Sequence, residues 1–340
     1  MARSTADVRE VVDAVHIYTS CRFSVLDEIH EVTPTHSDID EIRARLANML
    51  YQRLYCRPSR PPSTAAHDAR ATRVFVDSLS RANCGTGTWD PGWAVTALED
   101  DGTVLVHKHP DDLMLWASPR QFRPADGTAY VGGVGRLSLG KELREMLPGF
   151  YTILGDADQP DGNDDVPVRL IRFYWHLTSS AAPLWIRELT QRFNAAGVAF
   201  RAKVLSRPTA YFRADAGVLY VTLTDLSTVM TLVDGIYEAM STHLRPTTPM
   251  FTKRLAPGLA VAEDPGGGRS FGQHRCELVA EGLVRAFQGK RTSLGDVVDS
   301  IASRFAEDGL VLTRPWSSAG SKVRYAWPPR SAPAGTFGGT

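Results

Sequence analysis

The feature of this 340-residue sequence that most constrains its fold is an alternation of strand and helix patterns between residues 169 and 288. Residues 169–178 and 200–205 are rich in β-branched and aromatic side chains, which predicts strands. Residues 185–195 have helical spacing and are followed by Gly197, a residue type that commonly ends helices. This alternation indicates an α+β domain with a mainly antiparallel sheet and packed helices.

The rest of this half continues the pattern. We expect, in chain order, a hairpin of residues 209–213 and 218–223 around a four-residue loop, a helix over 224–243, a loop over 246–269 and a helix from Ser270 to about Gln288. Ser270 and Gln273 fit a capping box, so the last helix should begin there.

The first half of the sequence differs from the second. Apolar residues at helical spacing between residues 6 and 57 predict a helix-rich N-terminal half. Asp101-Gly102 lies between two strand-like runs and predicts a hairpin. We therefore divide the chain into a mostly helical region that is a candidate docking surface for a peptide or kinase (1–153), an acidic loop (154–167), an α+β catalytic domain (168–327) and a disordered tail (328–340).

Composition excludes several classes of function. The 38 basic and 38 acidic residues give no net charge, so no whole-protein field attracts nucleic acid or an anionic membrane. The four cysteines are scattered without a C-x-x-C pair, which favours free thiols. No apolar run approaches the ~20 residues that span a bilayer, and the N-terminus lacks the apolar core of a signal peptide. We therefore expect a soluble cytoplasmic protein.

Strand periodicity places polar side chains of the second half on common sheet faces. In the first predicted strand, His176 shares a face with Arg172 and Tyr174. In the second, Lys203 shares a face with Arg201. Lysine is rarely buried without a partner, so a Lys in an apolar strand is a strong functional candidate.

The expected hairpin adds two further polar groups. If Arg213 pairs with Val218, and Tyr211 with Tyr220, then Arg213 and Tyr220 lie on one face of the sheet. Asp215 in the loop is expected to orient Arg213 or to form the turn. The alternative for Tyr220 is cross-strand packing without a chemical role.

The Gly-rich approach to the last helix is a candidate phosphate site. Residues 266–268 are all glycine, and the helix that follows exposes backbone N–H groups at the positive end of its dipole. Arg269 and Arg275 add fixed charge. The alternative is an ordinary flexible loop before a well-capped helix.

Three other motifs carry less weight. Gly268 to Gly272 fits the G-x-S-x-G of serine hydrolases, but no strand precedes it and only His274 follows it. Gly135 to Lys141 fits a P-loop, except that Glu142 replaces the required Ser or Thr. A metal site could be formed by His107, His109, Asp111 and Asp112, although a solvated turn is the commoner outcome.

Five segments of the second half carry a family resemblance. They are FYWHLT (173–178), AFRAKVL (199–205), YFRADAGVLYV (211–221), TPMFTKRLAPGLAVAEDP (248–265) and SFGQHRCELVAEGL (270–283). These segments resemble the HopA-type effector-like family. Some members are effectors of plant pathogens, and others are standalone proteins of class V lanthipeptide and thioamitide biosynthesis.

The resemblance implies a lyase that needs neither metal nor cofactor. Such members eliminate phosphate from Ser or Thr of a precursor peptide, phosphorylated by a separate standalone kinase, to leave dehydroalanine or dehydrobutyrine. A fainter resemblance to the phosphothreonine lyases of bacterial pathogens rests on four residues in chain order: His176, Lys203, Arg213 and Tyr220. This chain departs from that pattern at Thr222, where a lysine is expected.

The resemblance also implies roles for these residues. Lys203 is the base that removes the Cα proton, and His176 is the acid that protonates the leaving phosphate. Tyr220 donates to the phosphate or to the developing enolate oxygen. The candidate phosphate-binding and substrate-binding residues are Arg213, Lys253, Arg275, His274, Ser270 and Arg201.

The expected partners are the phosphorylated peptide and the kinase. The alternative function is a non-catalytic, effector-like module that binds a kinase or a peptide.

Overall fold

The computed structural model describes residues 3–32, 38–59, 68–108, 113–144, 147–158 and 169–328. The helices of these residues are α1 (Arg3–Ala14), α2 (Asp38–Met49), α3 (Ala69–Ala82), α4 (Ala182–Ala195), α5 (Leu226–Met240), α6 (Phe271–Gln288) and α7 (Leu294–Glu307). A π-helical segment, Leu50–Tyr55, follows α2 directly.

The described strands belong to three sheets. They are β1 (Val15–Thr19), β2 (Arg22–Val25), β3 (Glu28–Glu31), β4 (Thr88–Leu98), β5 (Val104–Lys108), β6 (Leu113–Ala117), β7 (Phe122–Pro124), β8 (Val134–Leu139), β9 (Glu142–Leu143), β10 (Phe150–Leu154), β11 (Leu170–Trp175), β12 (Phe200–Leu205), β13 (Gly217–Thr222), β14 (Lys253–Ala256) and β15 (Leu259–Glu263).

All three sheets are antiparallel. Their strand orders are β1-β2-β3, β6-β5-β4-β8-β7 and β14-β15-β11-β13-β12-β10-β9. Helices cover the seven-stranded sheet, so the predicted α+β class with a mainly antiparallel sheet is confirmed. Strands β9 and β10 also belong to this sheet, although they come before the predicted acidic loop (154–167) in the sequence. Residues 159–167 of that loop and residues 329–340 of the predicted tail lie outside the described residues.

The predicted helix-rich N-terminal half is wrong, because β1 to β10 all lie in it. Val8 and Val11 are buried on α1, but Val15 already begins β1. A tight turn at Leu26 and Asp27, both with positive φ, then joins β2 to β3. Apolar residues that appear as one helical stripe are therefore divided between a helix and a small sheet rich in β-branched and aromatic residues.

The seven-stranded sheet has a different apolar core on each face. One face packs against α3, α4 and α5, where Trp175, Trp185 and Phe200 are fully buried. The other face packs against α2, the π-helical segment and α6, and there Tyr174 contacts Phe271 with ring centroids 6.2 Å apart. Phe173 and Trp175 belong to the first core, and Tyr174 between them belongs to the second. This is the period-two pattern expected of a strand.

Several local predictions are confirmed. The strand at 200–205, the helix closed by Gly197 (φ 63°) and the helix from Phe271 to Gln288 all form. The Asp101-Gly102 turn joins β4 to β5 as expected, with Gly102 at φ 81°.

Two predictions for the second half are wrong. The expected hairpin of 209–213 with 218–223 does not form, because β13 lies at the centre of the sheet between β11 and β12. The Tyr211 hydroxyl donates to the Leu205 carbonyl, which fixes the segment before β13 as a compact turn. The expected loop over 246–269 contains the β14–β15 hairpin, whose buried apolar run of residues 259–262 lacks polar alternation.

The turn between β14 and β15 depends on Gly258. This glycine has φ 74°, and a Cβ there would lie 2.4 Å from the carbonyl oxygen of Arg245. The turn therefore requires glycine, and it fixes the backbone of Arg245 beside the end of β11.

Candidate functional site

The face of the seven-stranded sheet that looks toward α6 carries a row of polar residues. Arg172 of β11 lies opposite Tyr220 of β13, and Tyr220 lies opposite Arg201 of β12. In the next row, Tyr174 lies opposite Val218, and Val218 lies opposite Lys203. As predicted, Arg172 shares a face with Tyr174, and Lys203 shares a face with Arg201, whereas His176 follows the last residue of β11. Tyr220 reaches this face through pairing with β11 and β12 rather than with Tyr211.

Lys203 has aromatic neighbours on this face. Its Nζ atom lies 4.5 Å from the ring centroid of Phe150 and 5.7 Å from that of Tyr220. Across the described part of the chain, this ammonium group has neither a carboxylate partner nor a hydrogen-bond acceptor. Cation–π contacts therefore hold a charge that remains available to an anion.

Arg213 is held by a buried carboxylate. Asp215 is 5% exposed and accepts hydrogen bonds from Arg213 Nε at 2.6 Å and Nη2 at 2.7 Å. Burial alone would raise the pKa of the Asp215 carboxyl, but Arg213, with help from Lys203, holds it below its usual value. Asp215 thus orients Arg213, as expected from the sequence, and it neutralises most of the charge of Arg213.

Tyr51 of the π-helical segment completes this ion pair. Its hydroxyl accepts a hydrogen bond from Arg213 Nη2 at 2.8 Å and donates to Asp215 Oδ2 at 3.3 Å. The guanidinium carbon of Arg213 lies 5.5 Å from the centroid of the Tyr51 ring. Tyr51 could not be predicted from the sequence, because no motif connects a tyrosine of the first half to this sheet.

His176 lies at the end of β11 and is 2% exposed. Its Nδ1 atom is 2.8 Å from Thr247 Oγ1 and 3.1 Å from the Thr247 carbonyl oxygen. The carbonyl oxygen only accepts, so Nδ1 carries the proton in that bond and Nε2 keeps its lone pair. Nε2 is buried and has no partner among the described residues.

The environment of His176 disfavours its charged form. Burial, and then the positive charge of Arg245, lower the pKa of His176 to about 4. The imidazole is therefore neutral near pH 7. A buried polar atom without a partner is uncommon in folded proteins and marks Nε2 as a candidate contact for a ligand.

Asp215 connects these residues electrostatically. Its charge acts on Arg213 and Lys203, and it also affects His176. Lys203 and Tyr174 lie two strands apart, which corresponds to roughly 10 Å between backbones. The charge of Asp215 is therefore felt at Lys203, Arg213 and His176, Tyr220 lies beside Lys203, and Arg201 lies exposed at the outer end of the row.

Lys253 lies elsewhere. It pairs with Val261, whose side chain belongs to the core on the opposite face of the sheet. Its Nζ atom is 5.9 Å from the centroid of the Trp316 ring, and burial together with Arg314 lowers its pKa. The structure does not bring Lys253 to the Lys203 face.

Arg275 is fully buried and binds the C-terminal segment. Its Nε donates to the Pro315 carbonyl at 2.7 Å and its Nη2 to the Ser317 carbonyl at 3.2 Å. Burial, and the charge of Arg269, lower the pKa of Arg275 to about 10. These bonds hold residues 315–317 against α6.

His274 takes part in the same network. Arg275 Nη1 donates to His274 Nδ1 at 2.6 Å, so Nε2 carries the proton and donates to Asp308 Oδ2 at 3.2 Å. Burial, Arg275 and Arg269 lower the pKa of His274 to about 4. Ser270 precedes α6, as predicted, but its side chain makes no capping hydrogen bond. The expected capping box is therefore not formed.

A cavity of about 360 Å³ lies beside this network. Its lining includes Arg269, His274, Arg275 and Asp308, and it includes none of the residues grouped around Asp215. Phe271 contacts both Tyr174 and Arg275, so its ring lies between this network and the sheet. The predicted phosphate ligands are thus divided between two places.

Arg172 and Arg245 are two further cations near the site. Arg172 is buried and donates from Nε to Asp264 Oδ2 at 2.6 Å and from Nη2 to the Arg269 carbonyl at 2.7 Å. Arg245 donates from its backbone N–H to the His176 carbonyl at 3.0 Å. Arg245 was not predicted as a site residue, because the residues that follow it were expected to form a loop.

The predicted metal alternative is not tested, because three of its four residues lie outside the described ranges. No group of three or more His, Cys, Asp or Glu side chains that could hold a metal occurs within the described ranges. His109, Asp111 and Asp112 lie outside them. No helix of the described residues is both long enough and apolar enough to cross a membrane.

These features define an α+β protein whose antiparallel sheet carries a candidate anion site on one face. A model of the HopA1 effector protein family matches residues 143–316, just over half of the chain, and the chain belongs to this family. The matched region contains Lys203, His176, Arg213 and Tyr220.

Two solved structures are similar to the chain. The effector protein from Pseudomonas syringae pv. tomato strain DC3000 has a TM-score of 0.48 and 14% identity, covering 94% of this chain and 98% of that one. The effector protein from Pseudomonas syringae pv. syringae strain 61 has a TM-score of 0.45 and 15% identity, covering 82% of this chain and 97% of that one. No curated protein matches the chain.

Proposed function

We propose that this protein is a lyase that eliminates phosphate from phosphoserine or phosphothreonine of a ribosomal precursor peptide. The products would be dehydroalanine and dehydrobutyrine in lanthipeptide or thioamitide maturation, after a separate kinase has acted. The observation that carries the proposal is the sheet face itself. There Lys203, which has no carboxylate partner in the described chain, lies beside Tyr220 and on the side of the buried His176.

The proposed step is a β-elimination. Lys203 Nζ takes the proton from Cα, the Cα–Cβ double bond forms, and the Cβ–O bond breaks as phosphate leaves. The leaving phosphate takes a proton from His176 Nε2. Lys203 has to act as the free amine, so its ammonium group first gives one proton to solvent; Nζ then gains the Cα proton, while His176 Nε2 gives its proton to the leaving phosphate.

The neutral state of His176 in the free protein bears on this step. With a pKa of about 4, the imidazole is mostly unprotonated near pH 7. A phosphate dianion beside Nε2 offsets the burial penalty and favours the imidazolium. We propose that the substrate itself brings His176 into its acid form.

The other residues of the face bind and orient the substrate in this proposal. Tyr220 donates to the phosphate or to the developing enolate oxygen. Arg213 retains Nη1 for a phosphate oxygen while Nε and Nη2 bind Asp215. Arg201, which is exposed, contacts the peptide. Arg275, His274 and Lys253 are not assigned roles in the step, because their contacts lie elsewhere.

The proposal is tested with a synthetic peptide that carries one phosphothreonine. The protein is incubated with it without added metal, and the peptide is followed by mass spectrometry. Loss of phosphoric acid, giving dehydrobutyrine, is the expected result. Recovery of threonine would identify a phosphatase instead, and an unchanged peptide would contradict the lyase.

A binding module is the second candidate. The favouring observation is the five-stranded sheet, whose strand β6 exposes Met114 by 51% and Trp116 by 55% of their surfaces. Exposed apolar side chains of this size often mark interaction surfaces. In the same experiment, a peptide that binds with measurable affinity but never changes mass would support the module and contradict the lyase.

A further inference from the structure

Four cationic side chains, one of them Lys203, lie on the His176 side of the sheet, and they differ in what neutralises them. Arg172 forms an ion pair with Asp264, and Arg213 forms a two-bond ion pair with Asp215. Lys203 and Arg245 have no carboxylate within ion-pair distance in the part of the chain that the structure describes. Together with the exposed Arg201 at the outer end of the row, these two cations are left for an anionic ligand, and of the three Arg245 is the one whose backbone is bonded to His176.

Arg245 is fixed next to His176 by its backbone. Its N–H donates to the His176 carbonyl at 3.0 Å, and the Gly258 turn packs against its own carbonyl. The neighbouring Leu244 forms a β-bridge with Leu177, which directly follows His176. The base of the Arg245 side chain is therefore as well positioned as a strand residue.

The guanidinium of Arg245 retains free donors. The described residues give it one side-chain contact, in which Nη1 donates to Ser59 Oγ at 2.8 Å. A guanidinium has five N–H groups, so most of its donors remain open in the half-buried position that it occupies. The backbone bond to the His176 carbonyl keeps the two residues adjacent, and the charge of Arg245 contributes to lowering the pKa of His176.

We propose that Arg245 is the guanidinium that binds the phosphate beside His176, and that Arg213 mainly shapes the site through Asp215. This inference rests on the proposed function, because it names the phosphate ligand of that same site. Arg245 would then hold the substrate phosphoryl group beside the end of β11, while Lys203, in the middle of β12 and two strands away, would reach Cα. Arg213, already bound at Nε and Nη2, would offer a single remaining nitrogen.

The test compares Arg245→Gln, Arg245→Lys and Arg213→Gln with the wild-type protein. A matched control is Arg254→Gln, which removes an exposed arginine on β14. Each variant is first checked for folding by circular dichroism. Binding of inorganic phosphate is then measured by calorimetry, and elimination is measured separately with the phosphothreonine peptide.

Arg245→Gln is expected to weaken phosphate binding by about tenfold or more, since a charge-assisted hydrogen bond contributes about that factor. Arg245→Lys should recover part of the affinity through its point charge. Arg254→Gln should bind phosphate like the wild-type protein. For the peptide, KM should rise with Arg245→Gln, and the preference for the phosphorylated over the unphosphorylated peptide should fall.

Two outcomes overturn the inference. In the first, Arg245→Gln binds phosphate as the wild-type protein does while folded Arg213→Gln loses binding. In the second, the wild-type protein does not bind phosphate. If the wild-type protein eliminates phosphate and Arg245→Gln does so equally well, the inference fails and the proposed function stands. If phosphate binds through Arg245 but no elimination occurs, the inference stands and the lyase fails.

Discussion

Two cationic groups lie on the same side of the seven-stranded sheet, and they differ in what their charges contact. In the α6 group, Arg275 is bonded to two backbone carbonyls and to His274, and it holds the C-terminal segment in place. In the sheet group, Lys203 meets only aromatic rings among the described residues. Arg275 of the α6 group therefore already has protein partners, whereas Lys203 of the sheet group remains available for a ligand.

This difference shows that residue type and motif do not by themselves identify a binding cation. Both groups contain conspicuous basic residues near a loop or a strand end. What separates them is whether each charged atom already has a partner, which depends on segments far apart in the sequence. The following predictions test this difference between the α6 group and the sheet group, from the largest expected effect to the smallest.

The first prediction concerns Lys203, the centre of the sheet group. Lys203→Ala should lower the rate of elimination by about 1,000-fold, because a positioned general base contributes factors of that order. The rate is followed by mass spectrometry with the phosphothreonine peptide. Lys322→Ala, at an exposed lysine of the C-terminal segment, is the control and should keep the wild-type rate. A Lys203→Ala protein that keeps more than about a tenth of the rate would remove Lys203 from the role of base.

The second prediction concerns Arg275 in the α6 group. Arg275→Met should lower the free energy of unfolding by about 3 kcal/mol, because it leaves two backbone carbonyls and His274 without their donor. Urea denaturation measures the change. Arg285→Met on the same helix removes a half-buried arginine that binds Glu281 and Glu307, and it should cost less than about 1 kcal/mol. Equal effects of the two substitutions would show that the Arg275 network contributes little.

The third prediction concerns pH, because each group contains one buried neutral histidine. The pKa of His176 and of His274 is about 4 in the folded protein, against the ordinary 6.5. Between these values the unfolded chain binds a proton that the folded protein does not, so stability falls as the pH is lowered from 6.5 to 4. The loss approaches about 3 kcal/mol for each histidine.

Urea denaturation of the wild-type protein and of His274→Gln at pH 7 and pH 5 measures this effect. The variant should lose less stability between the two pH values than the wild-type protein, because one of the two histidines is gone. Identical losses in both proteins would show that His274 is not held neutral by Arg275.

The smallest effect is expected at Tyr51, which contacts the Arg213–Asp215 ion pair. Tyr51→Phe removes one hydroxyl and should lower stability by about 1 kcal/mol, since both hydrogen bonds between Arg213 and Asp215 remain. Thermal unfolding followed by circular dichroism measures the change. If Tyr51→Phe instead abolished elimination in a folded protein, the hydroxyl would have to act on the substrate directly.

The comparison also explains which parts of the fold could be predicted. Local patterns identified the strand of Lys203 and the helix of Arg275, because period-two and period-3.6 spacing reflect the burial of neighbouring side chains. The placement of β13 between β11 and β12 was not predictable in the same way. Pairing with distant strands outweighed the turn-like residues 214–217, which otherwise indicate a hairpin.

The candidate site was predicted in its parts but not in its arrangement. His176, Lys203 and Tyr220 were selected from strand faces and from the family resemblance, and the structure places them on one side of the sheet. Tyr51 was missed, because its contact with Asp215 spans more than 160 residues of sequence and leaves no local pattern. Arg245 was missed, because the hairpin beside it was not predicted.

The most direct test of the account measures elimination by three folded proteins side by side: wild-type, Lys203→Ala and Arg275→Met. The phosphothreonine peptide is used in single-turnover experiments, at a temperature where circular dichroism shows all three to be folded. The account expects Arg275→Met to form dehydrobutyrine at close to the wild-type rate and Lys203→Ala to form almost none. Loss of elimination in Arg275→Met together with a full rate in Lys203→Ala would contradict it.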